Sequence, residues 1–236
     1  MKRIVGVFII MIMLCNLYGC GEKVAHADNR ENPVVIPKKK VIDMEFISQT
    51  EKYPTGCEAV SAVMALRKMG FDITPEEFID DYLEKGSLPY EKNGVWYGPD
   101  PGEVFVGDPY SNAGYGCYSP VIIKALNRYL SGSGKKALDM QGTTLETLCR
   151  RYVAEDVPVI IWATSSMQPV EYRRTWQIPS GGLFQWTTHE HCLVLAGYDT
   201  DSYYLHDPQR GLVTYDRGLT AKRYEELGLQ AIVITE

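Results

Sequence analysis

TGCEAVSAVMALRKMG, from Thr55 to Gly70, is the stretch on which the reading of the whole chain turns. Thr55 and Glu58 have the spacing of a capping box, Thr/Ser-x-x-Glu. Val60, Val63, Met64 and the stem of Arg67 then recur at helical spacing, and Gly70 stops the run. The spacing predicts a helix with Cys57 in its first turn. Unpaired N–H groups and the helix dipole favour an anion there. A thiolate is such an anion, and this placement lowers a thiol's pKa. A buried structural cysteine fits the same position.

More helices follow. Thr74-Pro75-Glu76-Glu77 is a second capping box with proline at the first helical position. Ser119-Pro120 opens a third helix through Ile122, Ile123, Leu126 and Leu130, and Thr143-Thr144-Leu145-Glu146 opens a fourth. The period then changes. Val157 to Ala163 reads as a buried strand. His191 to Gly197 alternates, with His191, Leu193 and Leu195 on one face. Ser202 to Asp207, Leu212 to Tyr215 and Ala231 to Thr235 are further strands. Helices followed by a mostly antiparallel sheet make an α+β architecture. Two long segments interrupt it, Gly86 to Tyr118 and Ser165 to Glu190. They read as structureless, and such stretches in a compact domain usually serve function. Their Tyr90, Trp96, Tyr97, Tyr110, Tyr115, Trp176 and Trp186 can line a groove for an extended chain. They can equally pack the segments onto the domain.

The first twenty residues read as a targeting signal. Lys2 and Arg3 precede an apolar run of eleven residues, Ile4 to Leu14, too short to span a bilayer as an ordinary helix. Leu17-Tyr18-Gly19-Cys20 resembles a bacterial lipobox, which implies cleavage before Cys20, a lipid on its thiol and an extracytoplasmic, membrane-anchored protein. Residues 21–40 are a polar tether ending in Pro37-Lys38-Lys39-Lys40. These lysines are either solvated or in contact with anionic headgroups. The expected organisation is therefore a signal over 1–20, a tether over 21–40 and one domain over 41–236. A net charge of −6 with no basic stripe gives no reason to bind nucleic acid. Of six cysteines, Cys57, Cys117, Cys149 and Cys192 fall in the domain. They are too few for a disulfide framework. Cys149 and Cys192 sit in apolar patterns as buried thiols. No Cys-x-x-Cys pair suggests zinc or redox chemistry.

A nucleophilic thiolate needs a base, and the base needs an orienting group. His26 lies in the tether, leaving His189, His191 and His206. His191 follows Cys57 by 134 residues, within the papain-type separation of roughly 130–150. A hairpin turning at Tyr198-Asp199-Thr200 sets His191 directly opposite Asp207 on one sheet face. The carboxylate can then accept a hydrogen bond from the imidazole and fix its tautomer. A one-residue slip would put His206 there instead. His189 shares the face of His191, so periodicity leaves both as candidate bases. His189-Glu190-His191 also has metal-ligand spacing, without a matching third ligand nearby.

These motifs together resemble a known family. Gln49-Thr50-Glu51-Lys52-Tyr53-Pro54-Thr55-Gly56-Cys57-Glu58-Ala59 is similar to the nucleophile motif of cysteine peptidases related to the bacteriocin-leader-processing (double-glycine) peptidases, and most of all to their stand-alone, secreted branch. His191-Cys192 with Gly197-Tyr198-Asp199 resembles its histidine strand, and Asp207-Pro208 its acid motif. Gly107-Asp108-Pro109-Tyr110, Gly114-Tyr115-Gly116-Cys117-Tyr118 and Pro158-Val159-Ile160-Ile161-Trp162 resemble its middle loop and central strand. The resemblance runs from about Val41 to Glu236. It implies a papain-like fold, with Cys57 as nucleophile, His191 as base and then acid, Asp207 as orienter and Gln49 as oxyanion donor. Hydrolysis would pass through a thioester, with no metal or cofactor. The substrate would be a peptide or a peptidoglycan-like amide. A cell-wall amidase or an acyl transferase on this scaffold is an alternative, as is a binding module without activity. No transporter region is fused to the sequence, and the papain-type Cys-Gly-Ser/Ala-Cys-Trp motif is absent, so neither export-coupled processing nor papain specificity carries over.

Overall fold

The Glu190–Tyr198 strand is buried along nearly its whole length and organises the sheet around it. The structure is a computed structural model, described for residues 37–236. The expected signal, Cys20 and most of the tether lie outside the described residues. The main sheet runs in the order Gly211–Asp216, Ser202–Asp207, Glu190–Tyr198, Val159–Thr164, Ala231–Thr235, Lys136–Asp139. Its neighbouring pairs are antiparallel. The short strand Lys40–Val41 also pairs with Glu190–Tyr198. Lys40 thus already belongs to the fold, and its ammonium meets Asp156 at 2.7 Å.

Alternation along the strands splits the core between two faces. Cys192, Val194, Ile160, Trp162, Ile232 and Ile234 pack beneath the Cys57–Lys68 and Ser119–Tyr129 helices. Leu193, Leu195, Val159, Ile161 and Val233 pack with Leu145, Leu148 and Cys149 of the Leu145–Arg151 helix and with Tyr224 of Arg217–Glu226. Thr74 forms its predicted capping box with Glu77. Among the described residues no helix is long and apolar enough to cross a membrane.

The two long segments are not structureless. Tyr90–Lys92, Val95–Tyr97, Glu171–Gln177 and Leu183–Thr188 build a second, four-stranded sheet. Its inner side is an aromatic cluster in which Trp176 and Trp186 stack with centroids 6.2 Å apart and Tyr115 meets both rings edge-on. Trp176 is buried in this cluster, so for it the packing alternative holds.

The hairpin that carries His191 and Asp207 differs from expectation in register. Near the turn Tyr198 opposes Tyr203 and Gly197 opposes Tyr204; beyond a bulge at Ala196, Leu195 opposes Leu205 and Val194 opposes His206. In that register Asp207 sits two places diagonally from His191, not directly across. The displacement is even, so both side chains keep one face. Gly197 lets the edge strand in: a Cβ there would lie 2.6 Å from the Lys40 carbonyl oxygen and 3.0 Å from Val41 Cα. Gly197→Ala is expected to detach Lys40–Val41 at a cost of about 1–3 kcal/mol. Faster amide exchange at Ile42, whose N–H is bound to the Ala196 carbonyl, would report the detachment.

Candidate active site

The Cys57 helix is not capped as its sequence suggests. Its N-cap is Gly56, with no side-chain cap. The Thr55 hydroxyl instead donates to the carbonyls of Asp108 (3.2 Å) and Ser111 (3.0 Å), and Glu58 Oε1 accepts the Cys117 N–H at 2.6 Å. The loop over 108–117 has taken both capping groups. Trp162 ties that loop to the sheet through the Cys117 carbonyl, and Ser61 ties the helix to the Cys192 carbonyl.

Cys57 is buried. Its Sγ donates to Glu58 Oε2 at 3.3 Å and accepts the Cys192 N–H at 3.5 Å. Burial pushes the thiol well above its ordinary pKa, and the neighbouring Glu58 and Glu190 charges push the same way. The expected depression at a helix start is overturned, because desolvation and two acids outweigh the dipole. Burial also lifts Glu58 to about 7, against the Cys117 N–H bond that favours its charge. Glu190 is raised strongly by burial and then by Glu58, and its buried Oε1 has no partner among the described residues. Cys57, Glu58 and Glu190 place one donor atom each within 4.8 Å of one another, close enough to hold a metal ion. Of the expected His189-Glu190-His191 alternative, only Glu190 belongs to that set.

His191 Nε2 and Asp207 Oδ1 lie 2.8 Å apart, both side chains buried. Burial acts to raise the Asp207 carboxyl, but the His191 bond and charge and the Gln209 N–H outweigh it and hold the group below its ordinary value. With Nε2 on Asp207, Nδ1 is the ring nitrogen left for proton exchange. Gln49 is buried, and its backbone N–H donates to the Pro208 carbonyl beside Asp207. Its Nε2 donates to the carbonyls of Pro54 (3.1 Å) and Tyr53 (3.4 Å). His191 and Asp207 thus meet directly, while Gln49 and Cys57 reach that pair only through the backbones of the adjacent Pro208 and Cys192, and the Cys57 proton faces Glu58. His189 has φ of 65°, outside strand geometry, and the Asp207 hydrogen bond goes to His191. His206 is buried with Nδ1 unpartnered among the described residues.

Sequence reasoning missed the Glu58–Glu190 pair. Glu58 was accounted for by the cap, and Glu190 carries no signal apart from its place beside His191.

Residues 41–232 match the model of the Peptidase_C39 like family. A crystal structure described as a C39-like peptidase from Bacillus anthracis superposes with a TM-score of 0.73 at 30% identity, over 84% of this chain and 98% of that one. A double glycine motif protease from an AMS/PCAT transporter, solved with its leader peptide, superposes with a TM-score of 0.46 at 16% identity over 83% and 91%. No curated protein matches. A family model spanning nearly the whole described domain and a similar fold of almost equal extent show that this chain belongs to the Peptidase_C39 like family, as a papain-like, cysteine peptidase-like hydrolase.

Proposed function

We propose that the chain is an extracytoplasmic peptidase, lipid-anchored through Cys20, that cleaves an amide bond with Cys57, His191 and Asp207. The buried 2.8 Å His191–Asp207 hydrogen bond, one residue from the Cys192 N–H that touches Cys57 Sγ, carries the reading. Asp207 holds the imidazole with Nδ1 towards the nucleophile. Turning Sγ away from Glu58 lets Nδ1 take its proton. The thiolate then adds to the carbonyl carbon, and the oxyanion is met by the Cys57 N–H and by Gln49 once Nε2 leaves the longer bond to Tyr53. Collapse expels the amine, which takes the proton from His191, and water hydrolyses the thioester.

A library of peptides and muropeptides tests this directly. The wild type is expected to release amines and to carry a mass-detectable acyl group on Cys57, while Cys57→Ala does neither. Turnover that persists in Cys57→Ala would remove the thiol from the mechanism. A mature N-terminus without a lipid at Cys20 would remove the anchor.

A further inference from the structure

Between the second sheet and the loop over 108–117 lies a cavity of about 310 Å³, walled by Leu88, Asn112, Gly114, Trp186, Arg173 and Arg174 among others. Consecutive strand residues normally point to opposite faces. Arg173 and Arg174 reach one cavity because Arg173 is the extra residue of a bulge: Tyr172 opposes Thr187, Arg174 opposes Trp186, and Arg173 has no counterpart. Arg174 is held in place, with its guanidinium 3.9 Å from the centre of the Trp96 ring and Nη1 donating to the Tyr115 hydroxyl at 3.0 Å. These partners are neutral. Among the described residues no carboxylate forms an ion pair with either arginine, and no acidic side chain lines the cavity. In a chain of net charge −6 this is a local reversal of sign.

The cavity wall packs against chain neighbours of Cys57. Gly114 packs on Thr55, two residues before Cys57: a Cβ on Gly114 would lie 3.2 Å from Thr55 Cβ. Trp186 separates the cavity from Gly116, where a Cβ would come 3.3 Å from the indole and run into Glu58 Oε1.

We propose that the Arg173–Arg174 cavity is a specificity pocket that binds a carboxylate of the peptide substrate, an inference that rests on the peptidase reading of Cys57. Guanidinium groups match a carboxylate with parallel, charge-assisted hydrogen bonds. The carboxylate is either an Asp or Glu side chain or the peptide's own C-terminus.

Binding is measured on the Cys57→Ala chain, so that it does not depend on turnover. Fluorescent hexapeptides carry Glu or its isostere Gln at each position in turn, with amidated C-termini. A second set lacks acids and ends in a free carboxylate or an amide. One Glu position, or the free C-terminus, is expected to tighten binding about tenfold over its neutral counterpart. The gain should shrink as salt rises. Arg173→Glu should abolish it and favour Lys at that position, and Arg173→Lys should retain part of it. Equal binding of charged and neutral members in both sets would overturn the proposal, as would a preference untouched by Arg173→Glu. Failure of the peptidase reading is separate: it appears as wild-type enzyme that binds these peptides and cleaves none.

Discussion

His191→Ala lowers kcat/KM by about 10⁴-fold or more, the usual size for loss of a triad member, whereas His189→Asn stays within a few-fold of wild type. The two histidines are two residues apart, yet His191 holds the 2.8 Å bond to Asp207 while His189 sits at φ 65° and offers its carbonyl to the Ser165 N–H. Asparagine is the fitting replacement for His189 because it tolerates the left-handed region. A readout beyond activity separates catalysis from folding. Alkylation of Cys57 against pH should lose the limb that reports proton transfer to the imidazole in His191→Ala and keep it in His189→Asn. Activity that survives His191→Ala would transfer the role of base elsewhere.

Glu58→Gln should make the protein both more stable and more reactive at alkaline pH. The Glu58 carboxyl is raised to about 7 by burial, so it holds its proton more tightly folded than unfolded. The stability this contributes is full below its unfolded pKa of ~4.3 and is lost as pH rises through about 7. At 1.36 kcal/mol per pKa unit the loss is on the order of 3 kcal/mol. Glutamine keeps the shape and the acceptor for the Cys117 N–H but cannot ionise. At pH 8 its melting temperature should exceed wild type by about 6–12 °C, with the difference gone near pH 4. Its amide would also donate towards a Cys57 thiolate, where the carboxylate opposes one. The pH midpoint for alkylation of Cys57 should therefore fall. Matching melting curves at pH 8 would mean that Glu58 is not held in a costly environment.

Five strands of the main sheet were legible because they are buried on both faces or alternate cleanly, and the spans predicted for Ser202–Asp207 and Ala231–Thr235 match the structure; the short edge strands Lys40–Val41 and Lys136–Asp139 carried no such pattern. The second sheet was not. Glu171–Gln177 buries only Trp176, so its sequence shows no apolar period. The Arg217–Glu226 helix was silent for a similar reason: the Asp216 cap and the buried Thr220, Arg223 and Tyr224 hold it, with no apolar stripe. At the candidate site, residue types and separation pointed to Cys57, His191 and Asp207. The state of the thiol was misread because a capping pattern describes local geometry, whereas the Glu58 carboxyl answers to a loop almost sixty residues away.

The bulge at Ala196 carries a further consequence. A strand presents its residues in twos, so one unpaired residue acts as a frameshift in space. If Ala196 paired in register with Leu205, the pattern near the turn would run along the whole hairpin, and His206 rather than Asp207 would share the face of His191. The bulge is what brings acid and base back into phase. Deleting Ala196 would remove the bulge and leave Leu195 opposite Leu205, so the His191–Asp207 pairing should survive the loss of that one residue.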